Sequence, residues 1–160
     1  MKIRYIYTDG SHFKGKGGSG RLGIGGVIVD PTGGGSNGKE LSKFSLEILP
    51  EFMKLHYGTS DTSNPTMEIL AALQALDEFK GLYDSDTRII MRQDYLGVSS
   101  WMTGKWKITK PYIRKIKEEI DKTIRDRNLT VEWEWVRGHQ KATTTEAYWN
   151  GVVDLLAKGE

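Results

Sequence analysis

Hydrophobic and polar residues alternate with a period of two along several short stretches of the chain, a pattern typical of β-strands. Five segments are predicted as strands: residues 2–9, 22–30, 39–49, 87–93 and 129–136. The two segments between the first three strands, residues 10–21 and 31–38, are rich in glycine and are predicted to form turns.

Four other segments carry apolar residues three or four positions apart, which predicts helices. One helix is predicted to begin near Asn64, a candidate N-cap, with Pro65 at its first position and Gly81 at its end. The other three helices are predicted over residues 95–103, 111–127 and 145–158. Residues 50–63 show neither period, so we expect an irregular segment there.

The order of these elements predicts the architecture. Three strands joined by short turns form an antiparallel meander, and strand–helix–strand crossovers then add parallel strands. We therefore expect an α/β fold, with a mixed five-stranded sheet and helices on both faces. The sequence contains no repeat and no linker, so residues 1–160 are predicted to form one domain.

Composition excludes several classes of protein. The chain has no cysteine, which excludes a disulfide scaffold, a thiolate zinc site and a cysteine nucleophile. Its net charge of +2 excludes binding of nucleic acid by overall charge, so such binding needs a local patch. No stretch reaches the ~18 apolar residues of a membrane span. We expect a monomer in the cytoplasm that does not bind membranes.

Residues 101–127 form a local concentration of positive charge, with nine basic residues against four acidic ones. Lys105, Lys107 and Lys110 lie in the connection between two predicted helices, beside Trp106 and without an acidic neighbour in the sequence. We expect these three lysines to bind nucleic-acid phosphates. Beyond Arg114, a solvated helix face explains the basic residues almost equally well.

Four carboxylates lie where a structural role and a catalytic role are both open. Asp9 comes at the end of the first strand and before Gly10, as in a turn. Asp94 could cap the helix that follows it, and Glu68 could complement the dipole of its own helix. Asp154 sits among apolar helix residues, where a charge needs a partner or a cation.

The predicted sheet brings these carboxylates to one place. Asp9 and Asp94 follow parallel central strands that end at the same edge, and the helices with Glu68 and Asp154 lie beside that edge. Four neighbouring carboxylates repel each other and raise their own pKa values. Divalent cations remove that repulsion, and oxygen ligands favour Mg²⁺ or Mn²⁺ over zinc.

Five segments follow one another along nearly the whole chain. They are YTDGS (7–11), TMEILAALQAL (66–76), the apolar strand leading to Asp94, VEWEWVRGH (131–139) and Asn150-x-x-x-Asp154-x-x-Ala157. In this order they resemble the type 1 ribonuclease H enzymes. The resemblance implies a ribonuclease H-like fold and a metal-dependent endonuclease that hydrolyses the RNA strand of RNA–DNA hybrids, leaving a 5′ phosphate.

The resemblance also implies roles for individual residues. Asp9, Glu68, Asp94 and Asp154 would be catalytic and would hold two Mg²⁺ ions, for which Mn²⁺ could substitute. His139, in the loop after the last strand, would assist proton transfer or the departure of the product.

Two asparagines are expected to contact the nucleic acid. Asn64 matches a family residue that touches the minor groove of the hybrid, and Asn150 belongs to the last matching segment. The chain departs from the family at Tyr95, where a serine usually follows the third carboxylate.

Two other functions remain open on the same fold. One is a non-catalytic nucleic-acid-binding module, and the presence of all four carboxylates argues against it. The other is a nuclease directed at DNA, against which the VRGH segment and Asn64 argue.

Overall fold

A computed structural model describes residues 1–14, 20–138 and 141–160, which form a five-stranded sheet with helices on both faces. The strands are β1 (Lys2–Lys14), β2 (Gly20–Gly35), β3 (Gly38–Glu47), β4 (Thr87–Gln93) and β5 (Thr130–Trp135). The helices are α1 (Pro50–Tyr57), α2 (Asn64–Glu78), α3 (Leu96–Met102), α4 (Pro111–Asp126) and α5 (Thr145–Lys158), and a 3-10 helix, Lys80–Leu82, follows α2. In these described ranges, no helix has the length and apolar character that crossing a membrane requires.

The sheet is mixed, as the sequence predicts. Its strand order is β3-β2-β1-β4-β5. The pairs β1–β2 and β2–β3 are antiparallel, whereas β1–β4 and β4–β5 are parallel. The parallel pairing of β1 with β4 ends at Tyr7 and Arg92. Asp9 and Asp94 each lie two residues further along, so both carboxylates reach the same edge of the sheet.

The central strand β1 faces two separate hydrophobic cores. Ile6 belongs to the larger core, which α2, α3 and α4 cover together with the sheet. The next residue, Tyr7, points to the other face and packs with Trp149 and Val153 of α5. Because successive side chains of a strand alternate between faces, this one strand fixes the position of both helix layers.

Strands extend into both predicted turns, and residues 15–19 of the first turn lie outside the described residues. Residues 10–21 were expected to leave the sheet after Asp9, but β1 continues to Lys14 and β2 begins at Gly20. Asp9 therefore lies inside a strand, where it pairs with Gly25 in the antiparallel ladder. Likewise β2 continues through most of residues 31–38. A glycine-rich composition predicts turns. It contains no information about the hydrogen bonds with neighbouring strands that hold these segments extended.

The expectation that residues 50–63 are irregular is wrong for its first half, which forms α1. Met53 is buried, and the hydroxyl of Tyr57 donates a hydrogen bond of 2.6 Å to the Oε2 atom of Glu119 on α4. The Nζ atom of Lys115 donates to the carbonyl of His56. An isolated helix of this length has only marginal stability in water. Contacts with α4 therefore stabilise α1, and the hydrophobic pattern of the segment does not predict it.

Helix α5 packs directly on glycines of β2. A Cβ atom on Gly25 would lie 2.7 Å from both the backbone nitrogen of Ala157 and the Cβ atom of Leu156. Arg21 also donates a 2.8 Å hydrogen bond to the carbonyl of Ala157, near the C-terminus of the helix. A guanidinium at this end satisfies a terminal carbonyl and complements the helix dipole.

We predict that Gly25→Ala destabilises the protein by about 1–3 kcal/mol, because the new methyl group overpacks against the backbone of α5. The matched control is Gly151→Ala in α5, where a Cβ atom would meet nothing within 4 Å. That change should stabilise the helix by about 0.5–1 kcal/mol. Urea denaturation measures both effects. Equal stability of Gly25→Ala and the wild type would contradict the close packing of α5.

Candidate active site

Asp9 and Glu68 lie side by side because α2 approaches β1 very closely at Gly10. A Cβ atom on Gly10 would lie 2.3 Å from the carbonyl carbon of Met67 and 2.5 Å from the nitrogen of Glu68. Only glycine fits this contact. Gly10 therefore allows α2 to pack closely on β1 and does not form a turn. Asp9 and Glu68 are both buried, and the backbone N–H of Gly10 donates to the Oδ1 atom of Asp9 at 3.0 Å.

Asp94 is held by β5, by the following loop and by α5. The indole nitrogen of Trp135 donates to the carbonyl of Asp94 at 2.9 Å, and the amide of Asn150 donates to its Oδ2 atom at 3.3 Å. Gly138 is so close that a Cβ atom there would lie 3.0 Å from the same Oδ2 atom. These contacts fix both the backbone and the carboxylate of Asp94.

Three of the four predicted carboxylates form a tight cluster. Oxygen atoms of Asp9, Glu68 and Asp94 all lie within 4.8 Å of one another. Asp154 lines the same cleft, which has a volume of about 450 Å³. Its Oδ2 atom accepts a 3.0 Å hydrogen bond from the Nζ atom of Lys158. The cleft thus collects all four carboxylates, and Asp154 stands apart from the cluster of three.

Burial makes negative charge costly in this cluster. Burial raises the pKa of Asp9 to about 7, and the charges of Asp94 and Asp154 contribute to that rise. Burial also raises the pKa of Glu68 well above its ordinary value, and the neighbouring Asp9 raises it further. Among the described residues, the buried Oε2 atom of Glu68 has no hydrogen-bond partner. An unpartnered oxygen among three carboxylates fits a hard cation such as Mg²⁺.

The two predicted asparagines occupy different positions. Asn64 is exposed and lines the cleft, and its amide oxygen accepts a 2.7 Å hydrogen bond from the backbone N–H of His12. Since a backbone N–H can only donate, the amide nitrogen of Asn64 remains as a donor. The predicted N-cap role is not observed, because Ser63 is the N-cap of α2. Asn150 is only 6% exposed and its amide contacts Asp94, so it lies behind the cluster.

The predicted phosphate-binding lysines also divide into two kinds. Lys105 and Lys107 are exposed and have no acidic partner among the described residues. Lys110 has no acidic neighbour in the sequence, but in the fold its Nζ atom lies 3.2 Å from the Oδ2 atom of Asp61. Asp61 is remote in the sequence, and only the fold brings it there. On α4, two further lysines pair one turn along the helix, Lys117 with Asp121 and Lys122 with Asp126.

His139 lies outside the described residues, so its predicted role stays a prediction. Tyr95 and Lys158 are among the residues that line the cleft and to which the sequence analysis assigns no role. Tyr95 packs edge-on against Trp101, and a Cβ atom on Gly97 would lie 2.1 Å from its ring. The sequence signal for Lys158 was its position four residues after Asp154, which places both on one helix face.

The whole fold matches solved structures of known proteins. The crystal structure of LC11-RNase H1 in complex with an RNA/DNA hybrid matches with a TM-score of 0.71 and 22% identity, covering 98% of this chain and 94% of that one. LC11-RNase H1 was isolated from compost by a metagenomic approach. At this identity the likeness shows the fold alone: α/β, with the sheet of the ribonuclease H proteins.

Sequence comparison then identifies the family. The family model described as RNase H matches residues 1–160, so the chain belongs to the ribonuclease H family. Ribonuclease H of Cupriavidus pinatubonensis is 31% identical over 148 residues, covering 87% of this chain and 85% of that protein. Ribonuclease H of Maricaulis maris is 35% identical over 96 residues, which cover 54% of this chain and only 62% of that relative.

Without metal ions, we expect the wild type to lose stability as the pH rises. The pKa of Asp9, ~3.9 in an unfolded chain, is raised to about 7 by folding. The folded state therefore binds the proton more tightly, and this stabilisation is fully present below about pH 4 and lost as the pH rises through about 7. Asp9→Asn should then be more stable than the wild type at pH 8, by up to about 4 kcal/mol.

Urea denaturation in EDTA between pH 4 and pH 8 measures this difference. Asp86→Asn, at an exposed aspartate outside the cleft, is the matched control and should follow the wild-type pH profile. A difference between Asp9→Asn and the wild type that stays constant across this pH range would contradict the assigned pKa direction.

Proposed function

We propose that this chain is a metal-dependent endonuclease that hydrolyses the RNA strand of RNA–DNA hybrids and leaves a 5′ phosphate. The observation that carries the proposal is the cluster of Asp9, Glu68 and Asp94, with oxygen atoms within 4.8 Å of one another in an open cleft. Membership of the ribonuclease H family supports it, as does the hybrid bound to LC11-RNase H1.

The carboxylates would hold two divalent cations, Mg²⁺ or its substitute Mn²⁺. Asp9 would contact both ions, with Glu68 and Asp94 beside one of them and Asp154 beside the other. Bound there, the ions would lower the pKa of the attacking water and stabilise the negative charge of the departing 3′ oxygen.

The remaining residues of the site position these groups. Trp135 and Asn150 fix the backbone and the carboxylate of Asp94, so that its ligand oxygen keeps one orientation. His139 would assist proton transfer to the leaving group or the departure of the product.

Recognition of RNA rests on the 2′-hydroxyl, which DNA lacks. Asn64 supports this step, because its amide oxygen is already bonded to His12 and its amide nitrogen remains to donate into the cleft. A hydroxyl or a base acceptor in the minor groove is a suitable partner for that donor.

The hybrid would also be held by a basic surface next to the cleft. Lys105 and Lys107 flank the exposed Trp106, which packs against Tyr95 at a ring distance of 6.4 Å. Tyr95 itself lines the acidic cleft, so this surface is continuous with the site. When lysines without an acidic partner contact the phosphates, the counterions condensed around the nucleic acid are released, and this release strengthens binding.

We predict that labelled RNA–DNA hybrid is cleaved in Mg²⁺, whereas duplex RNA, duplex DNA and hybrid in excess EDTA are not. Asp9→Asn should still bind the hybrid but lose turnover by about 10³-fold or more, because the amide cannot supply the charge that the cations share. The measurement is single-turnover cleavage with a parallel binding assay. Retention of a tenth of wild-type turnover by Asp9→Asn would exclude its central role.

We further predict that replacing Lys105 and Lys107 by alanine raises KM and leaves kcat within a few-fold. The slope of log K against log salt should flatten by about 0.9 or less for each lost phosphate contact. The matched control replaces Lys117 and Lys122 by alanine, which removes the same amount of charge. These two lysines are paired with acidic residues on α4. An unchanged KM for the first variant at low and at high salt would place the hybrid elsewhere.

A further inference from the structure

One positive charge lies inside the acidic cleft itself. Lys158 occupies the end of α5, one turn after Asp154, and both residues line the cleft together with Asp9. The Nζ atom of Lys158 lies 3.0 Å from the Oδ2 atom of Asp154, with side chains that are 32% and 31% exposed. The position that a cation would take beside Asp154 is therefore approached by an ammonium group of the chain.

This ion pair differs from an ordinary pair on a helix surface. Lys122 and Asp126 have the same spacing and lie 2.6 Å apart, but their side chains are 68% and 51% exposed and they are remote from the cleft. Lys158 is more enclosed and is influenced by further carboxylates. Its pKa is raised mainly by the hydrogen bond and the charge of Asp154, and the charges of Glu160 and then of Asp9 add to the rise.

The arrangement of the four carboxylates agrees with this difference. Asp9, Glu68 and Asp94 form the tight cluster, and the Oε2 atom of Glu68 has no hydrogen-bond partner in the described part of the chain. Asp154, whose charge Lys158 balances, lies outside that cluster. The cleft therefore has one side that needs a cation and another side that already has one.

We propose that Lys158 is an internal counter-ion that competes with a divalent cation for Asp154 and thereby weakens metal binding on that side of the cleft. The inference rests on the metal site of the proposed function, but not on the cleavage of hybrids. A divalent cation repels the ammonium and must displace it from Asp154. The long, flexible side chain of lysine allows that displacement without movement of the helix.

The test measures Mn²⁺ binding to the whole chain without nucleic acid, by electron paramagnetic resonance of the free ion at low ionic strength. Lys158→Met keeps the length of the side chain and removes its charge. We expect it to bind Mn²⁺ about 10-fold more tightly, because the divalent ion then enters the cleft without repulsion from an ammonium group. Lys158→Arg keeps the charge and should retain the wild-type affinity within about two-fold.

Two further variants identify the path of the effect. Lys122→Met removes the same charge from the matched pair on α4 and should leave Mn²⁺ affinity unchanged. In an Asp154→Asn background, Lys158→Met should change the affinity much less than it does with Asp154 present. Thermal melts establish that each variant is folded, and Lys158→Gln, which also removes the charge, replaces Lys158→Met if the methionine variant does not fold.

The outcomes separate this inference from the proposed function. Equal Mn²⁺ affinity of Lys158→Met and the wild type would overturn the counter-ion role, as would an equal gain in Lys122→Met. A raised KM for hybrid without any change in Mn²⁺ affinity would instead make Lys158 a phosphate ligand. Tighter Mn²⁺ binding in a chain that does not cleave hybrid would support the counter-ion and reject the proposed nuclease activity.

Discussion

Repulsion between two buried carboxylates is the constraint on which the rest of this structure depends. Asp9 and Glu68 are side by side and almost without solvent, and burial raises the pKa of each. The backbone N–H of Gly10 donates to Asp9, but the pKa values of both carboxyl groups remain raised, so the surrounding fold must impose their contact. Two hydrophobic cores do so by holding β1 between α2 on one face and α5 on the other. The stability of those cores supports a site that is unfavourable until a cation binds.

Glycine residues, which lack a side chain, allow the elements of the site to approach one another closely. Gly10 admits the first turn of α2, Gly25 admits α5, and Gly138 brings the loop after β5 against Asp94. At Gly10 and Gly25 the contact includes helix backbone, which has few alternative positions, whereas Gly138 contacts the carboxylate of Asp94 directly. The carboxylates are therefore placed by rigid elements, and this kind of placement holds catalytic groups to narrow tolerances.

The sequence predicts the sheet and its acidic edge because both follow from local hydrophobic patterns and from the order of the strands and helices. Strand alternation and the order of elements are sufficient to bring Asp9 and Asp94 to one edge. Helix α1 could not be predicted, because its stability comes from contacts with α4, such as that of Tyr57 with Glu119. The ion pair of Lys110 with Asp61 could not be predicted either, because the two residues are remote in the sequence and leave no local pattern. A turn-like composition similarly concealed the continuation of β1 beyond Asp9.

The site draws its carboxylates from near both ends of the chain, with Asp9 on the first strand and Asp154 on the last helix. The sheet edge itself requires β4 to pair with β1 across the whole of the intervening meander and α2. Contacts of such long range form late and slowly during folding. Until α5 packs onto the sheet, the cleft lacks Asp154, and Asp94 lacks the hydrogen bond that Asn150 donates. Helix α5 therefore completes the acidic cleft that β1 begins.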